Sequence, residues 1–159
     1  MALAADGQGD LRSISDDAFN SDEASFSPDG RLVSYHSSRS GRSEVYLTRF
    51  PHTGERWQVS SEGGVQARWS SDGRWLYYLD LAGRLTRVAV PGADPERIGR
   101  PEARFDLGIG APSLVFEQYA VQGDRFLVLR PSKDSAPPTV AVVSNWTSAL
   151  PRAATAAVP

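Results

Sequence analysis

The pattern of apolar and polar positions repeats along this chain. Residues 24–35 and 67–78 follow one template, in which an aromatic residue precedes a polar turn and an apolar run follows it. Trp69 stands about 43 residues after Phe26, and residues 119–128 form a third, degenerate copy. A repeat of this length predicts a stack of similar structural units.

Each copy predicts a unit of short strands separated by turns rich in Gly, Pro, Asp and Ser. In the first unit, residues 44–50 and 56–60 follow the template as further strands, because β-branched and aromatic side chains are frequent there. A longer loop is expected at 106–117. The strands expected in the second and third units are 66–70, 74–79, 85–90, 97–105, 118–122, 125–130 and 139–144.

The inner strands are apolar on both faces, as residues 75–79 (WLYYL) and 140–143 (VAVV) illustrate. Strands of this kind need cover on both sides. A parallel sheet would supply it only with crossover helices, for which the connections are too short. Sheets stacked face to face around a ring supply it without helices. The pattern therefore predicts an all-β fold, a partial β-propeller of four-stranded antiparallel blades.

The turn inside the template has a physical basis. Pro28 presets φ for the first turn position, Asp29 can accept from backbone N–H groups, and Gly30 can adopt a positive φ. In the second copy Asp72 and Gly73 stand at the same places. We therefore expect these residues to have structural roles.

The aromatic residues are expected to lie mostly in the core. Phe26 and Trp69 stand at equivalent ends of the two first strands, so both should be buried between neighbouring blades. Trp146, just after the last apolar run, is a third expected core aromatic.

The concatenated motifs resemble the WD40-like repeat of TolB-type β-propellers. The resemblance covers about residues 10–150, and the segments that carry it are 26–31, 40–46, 57–60, 63–64, 68–70 and 72–74. Residues 142–146 (VVSNW) match the ending of C-terminal propeller segments in bacterial TolB-like proteins, many of which are fused behind a serine/threonine kinase domain. The third copy departs from the template, because only Gly123 and Asp124 stand at its turn.

These units predict an incomplete propeller at residues 1–150 and a flexible tail at 151–159. The propeller divides into a blade remnant at 1–15, blades at 23–60 and 66–105, and a partial blade at 118–145. A closed ring has at least about four blades, so about three blades' worth does not close alone. We expect the missing blades to come from the rest of a longer chain or from a homodimer, giving six blades.

Composition excludes several functions. The 159 residues carry a formal net charge of −2, which argues against binding to nucleic acid or to an anionic membrane surface. The absence of cysteine excludes disulfides and thiolate chemistry. No apolar run reaches the ~20 residues of a membrane helix, so direct membrane insertion is not expected. Composition leaves the compartment open, while the resemblance implies a periplasmic or extracytoplasmic location.

No pattern predicts catalysis, a metal site or a cofactor. His36 and His52 are the only histidines; we expect the first to follow a strand, the second to lie in a turn, and both to be exposed. No Gly-x-Ser-x-Gly elbow is present, and the histidines lack the spacing of zinc ligands. Residues 108–110 lack the third glycine of a dinucleotide fingerprint. We therefore do not expect the chain to be an enzyme.

A binding function remains: a rigid scaffold that holds a protein or peptide at its loops and channel mouth. The expected surface comprises the starts of the first strands and the loops before them, with candidates Phe19, Asn20, Asp22, Glu62, Gln66 and Ile109. Two alternatives stay open. One is the extracytoplasmic sensor region of a bacterial serine/threonine kinase, and the other is the non-catalytic propeller part of a serine peptidase or lactonase-like hydrolase.

Overall fold

The fold is all-β. The computed structural model describes Ile14, residues 19–123 and residues 125–130. The first sheet contains β1 (Ser21–Phe26), β2 (Leu32–Ser37), β3 (Glu44–Arg49) and β4 (Arg56–Gln58). The second contains β5 (Val65–Trp69), β6 (Trp75–Leu79), β7 (Arg84–Ala89) and β8 (Glu102–Asp106). A two-stranded sheet of β9 (Tyr119–Gln122) and β10 (Arg125–Val128) follows.

Both four-stranded sheets are antiparallel, and their strand order follows the chain. The predicted all-β class and the four-stranded antiparallel sheets are thus confirmed, and these strands do not close into a barrel. The strand expected at 97–105 begins only at Glu102, because Pro95–Arg97 forms a 3-10 helix. The Asp94 side chain caps that helix by accepting from the Glu96 N–H.

Several expectations lie outside the residues that the structure describes. They concern Trp146, the strand at 139–144, the tail at 151–159 and, apart from Ile14, the blade remnant at 1–15.

The two template turns have the same hydrogen bonds. Ser27 Oγ donates to Asp29 Oδ1 over 2.6 Å, and that carboxylate oxygen accepts from a backbone N–H at 3.1 Å. Ser70 and Asp72 repeat both contacts at the same distances. The Ser70 hydroxyl is the main cause that lowers the pKa of Asp72 to about 2, and the Ser27 hydroxyl likewise lowers the pKa of Asp29.

The glycine of each turn adopts the conformation that the sequence predicts. Gly30 has φ 72° and Gly73 has φ 68°, a region that L side chains rarely adopt. Pro28 occupies in the first turn the place that Ser71 occupies in the second. The turn therefore depends on its Ser, Asp and Gly, and proline is not required.

The second sheet is covered on both faces, as its apolar pattern predicts. Leu76 and Tyr78 of β6 belong to a core that the first two sheets share. Leu79 belongs to a second core, shared with β9 and the segment before it, against which Tyr77 packs. Alternate residues of β6 thus face opposite neighbours, which explains why neither set is polar.

Phe26 and Trp69 have different environments. Trp69 is 9% exposed in the first core, and its Nε1 donates to the Ser25 carbonyl across the two sheets. Phe26 is 49% exposed and meets Phe50 edge to face. The expectation that Phe26 is buried between sheets is wrong. Its ring is not part of the first core, although its cross-strand partner Val33 is buried.

Candidate functional site

Each four-stranded sheet begins with a bulged strand. The pairing of β1 with β2 and of β5 with β6 shifts register at the same point of the repeat. Glu23 and Gln66 stand at these bulges with φ of 54° and 55°, values that non-glycine residues seldom adopt. Bulges redirect side chains. The backbone of the two repeats therefore places a polar side chain at an equivalent position, and Gln118 stands there in the third copy.

Gln66 anchors the segment before β9. It is fully buried, and its Nε2 donates to the carbonyls of Ser113 (2.8 Å) and Phe116 (3.1 Å). Its Oε1 accepts from the Gln118 N–H at 2.8 Å, while Tyr119 donates its hydroxyl to the Gln66 carbonyl. One buried amide thus fixes the backbone on both sides of the residues between Ser113 and Gln118.

The anchored segment exposes three consecutive apolar side chains. Leu114 is 60% exposed, Val115 92% and Phe116 58%; we call these three residues the apolar loop. Ser113 Oγ accepts from the N–H groups of Val115 (3.0 Å) and Phe116 (3.2 Å). Although its side chains face solvent, the backbone of the apolar loop is held by hydrogen bonds from both ends.

His36 faces two carboxylates beside the first bulge. Its Nδ1 lies 3.6 Å from Glu23 Oε2, and its Nε2 lies 4.0 Å from Asp22 Oδ2. We call Asp22, Glu23 and His36 the acidic notch. The expectation that His36 follows a strand and is exposed is wrong, because the residue lies inside β2 and is more than nine-tenths buried. Within the described residues, neither His36 Nδ1 nor Glu23 Oε2 makes a hydrogen bond, and the 3.6 Å between the two atoms is too long for one.

An ion pair lies between the acidic notch and the apolar loop. Arg68 of β5 pairs with Glu117, which directly follows the apolar loop. Burial raises the pKa of Glu23, but His36, Arg68 and the Gln66 N–H together outweigh it, so that this pKa lies below its usual value. Glu23 is therefore an anion at neutral pH.

Two of the sequence-predicted binding residues lie below the surface. Gln66 is buried, and Ile109 belongs to the second core. Both support the exposed segments from within. Phe19 is partly exposed with the Arg39 guanidinium over its ring, and Asn20 is exposed beside it.

Glu62 lies apart from the acidic notch, at a half-open cavity of about 460 Å³. Leu81, Arg84 and Pro101 also line this cavity. Burial raises the pKa of Tyr78, at the same cavity, to about 12, so its hydroxyl stays protonated at neutral pH.

His52 has a local structural role. Its Nδ1 lies 2.7 Å from Thr48 Oγ1, and the Thr48 hydroxyl donates to the Glu55 carbonyl. These contacts hold the turn after β3 against the end of β3. Across the part of the chain that the structure describes, no group of three or more His, Asp or Glu side chains is placed to hold a metal ion. In the same part, no helix is long and apolar enough to cross a membrane.

Of the acidic notch, only Asp22 was among the predicted binding residues, and the Arg68–Glu117 pair was not predicted from the sequence. An alignment of the three repeats at the bulge would have identified Glu23, Gln66 and Gln118 as one series of polar residues. No protein-family model matches this chain, and a search of curated proteins also found no match.

Proposed function

We propose that the chain is part of a β-propeller of TolB-like, WD40-like repeats, and that it binds a protein or peptide. Two observations support the architecture: four-stranded antiparallel sheets that follow the chain order, and a shared core between successive sheets. The repeated turns and bulges support it further, because each unit reproduces the backbone of the one before. Binding takes place at the starts of β1, β5 and β9.

The observation that carries the binding function is the apolar loop. Exposed apolar side chains that adjoin one another mark interaction sites more often than scattered ones do. Here the loop is also pre-ordered, since Gln66 and Ser113 satisfy its backbone before any partner arrives. A partner that covers it gains apolar burial without the cost of ordering a flexible loop.

A selection with a phage-displayed library of random peptides tests this proposal. The wild-type chain should enrich a peptide family whose Kd is measurable by calorimetry. The double variant Leu114→Ser, Phe116→Ser should weaken that Kd by about tenfold or more, because each apolar side chain contributes about 1.5–3 kcal/mol when fully buried.

Leu127→Ser is the matched control, because Leu127 of β10 is also an exposed leucine. This variant should bind the selected peptides as the wild type does. All variants should have the same thermal midpoint, since the changed side chains lie at the surface. Equal peptide affinity of the double variant and the wild type would refute the proposed function.

A further inference from the structure

Asp22 of the acidic notch and Glu117, which follows the apolar loop, are exposed carboxylates. Asp22 has 68% of its side chain exposed and Glu117 62%. The Arg68 guanidinium, which pairs with Glu117, is largely covered, and so is the imidazole of His36. A partner therefore meets carboxylates at this surface.

The acidic notch also has hydrogen-bonding capacity to spare. His36 is more than nine-tenths buried, and its Nδ1 faces Glu23 Oε2 at 3.6 Å with no other partner for either atom. Glu23 Oε2 is shielded from solvent, so its charge acts on a partner's cation from behind Asp22. Asp22, exposed and 4.0 Å from the other imidazole nitrogen, provides the approach from solvent.

The acidic notch and the apolar loop adjoin the same residue. The Gln66 N–H helps to lower the pKa of the Glu23 carboxyl, and the Gln66 side chain donates to the carbonyl of Phe116. A single short segment can therefore reach both.

We propose that the partner is a peptide segment with apolar residues next to an arginine or lysine. Its apolar residues cover the apolar loop, and its cation pairs with Asp22, with the Glu23 carboxylate behind it in the acidic notch. The inference rests on the proposed function, because it assigns a chemistry to the partner bound there. The carboxylates favour such a segment over a nucleic acid, whose phosphates they repel.

The phage-displayed peptide selection also tests this inference. Enriched peptides should contain Arg or Lys beside apolar residues more often than the unselected library does. Asp22→Asn, at an exposed position, should weaken binding about three- to tenfold at 50 mM salt, and the loss should shrink at 500 mM salt because ions screen exposed charges. Glu96→Gln, which neutralises an exposed carboxylate on another segment, should leave the affinity unchanged.

A synthetic peptide whose basic residue is replaced by glutamine completes the cycle. With this peptide, wild type and Asp22→Asn should bind equally, because the interacting charge is gone. If the Leu114→Ser, Phe116→Ser variant loses binding while Asp22→Asn keeps wild-type affinity, this inference is wrong and the proposed function stands. If both variants bind with wild-type affinity, the proposed function fails as well.

Discussion

The first and second sheets repeat one design, but their copies agree at the turn and differ at the bulge. After β1 and β5, Ser and Asp make the same hydrogen bonds at the same distances. At the bulges the backbone again agrees, while the side chains are Glu23 in one copy and Gln66 in the other. The turn requires particular side chains to close. The bulge requires only a backbone conformation, so its side chain can vary with the site.

The difference at the bulge has a chemical meaning. A glutamine both donates and accepts, so Gln66 can satisfy carbonyl and N–H groups of the segment before β9. A glutamate only accepts when ionised, and Glu23 faces the imidazole of His36 at 3.6 Å. The second bulge thus supports a loop from within, and the first provides charge.

The largest expected effect concerns the aromatic residues at the ends of β1 and β5. Trp69→Ala should lower the free energy of unfolding by about 3–5 kcal/mol, since it opens a cavity between two sheets. Phe26→Ala should cost about 1 kcal/mol, because its ring is half exposed. Urea unfolding of both variants measures the difference. Similar losses would mean that the two aromatic residues have equivalent environments after all.

Exchanging the bulge side chain should have the next largest effect. Gln66→Glu removes the donor to Ser113 and Phe116 and buries a charge, so we expect a loss of about 3 kcal/mol in chemical denaturation. Limited proteolysis should then cleave within the apolar loop. Gln122→Glu makes the same exchange at an exposed position of β9. It should neither lower the stability nor cause cleavage in the apolar loop. A stable Gln66→Glu chain with a protected loop would contradict the anchoring role.

The smallest effect concerns the two template turns in acid. The pKa of Asp72 is lowered to about 2, from a usual value of 3.8. Because its folded pKa is depressed, the stabilisation by Asp72 is present above pH 3.8 and is lost as the pH falls through about 2. Asp29 has the same hydroxyl and backbone donors, but its arginine lies 3.9 Å away, whereas Arg74 Nε donates to Asp72 at 2.6 Å.

Carboxyl-carbon NMR titration checks this pair directly. Asp72 should titrate at a lower pH than Asp29. Arg74→Lys should reduce the difference between the two titration midpoints, because lysine does not reproduce the guanidinium donor. Identical titration curves for the two carboxyls would show that the arginine contact contributes nothing.

Most of the fold could be predicted because its signals are local. Gly30, Gly73 and their neighbours form turns through contacts within about five residues, so the sequence pattern places them directly. The candidate site was less predictable. The acidic notch brings His36 to Glu23 across two strands, and the Arg68–Glu117 pair joins β5 to the segment before β9, so neither appears in any sequence window.

By itself the sequence determined the strand repeats, the turn chemistry and the need for cover on both faces of β6, because each depends on residue types at short spacing. The tertiary structure decided that Trp69 is buried while Phe26 is not, since only Trp69 lies in the core between the first two sheets. It also decided that a histidine expected at the surface lies buried against a carboxylate. The bulge at Glu23 redirects its side chain, and only the packing of the sheets determines which groups that side chain contacts.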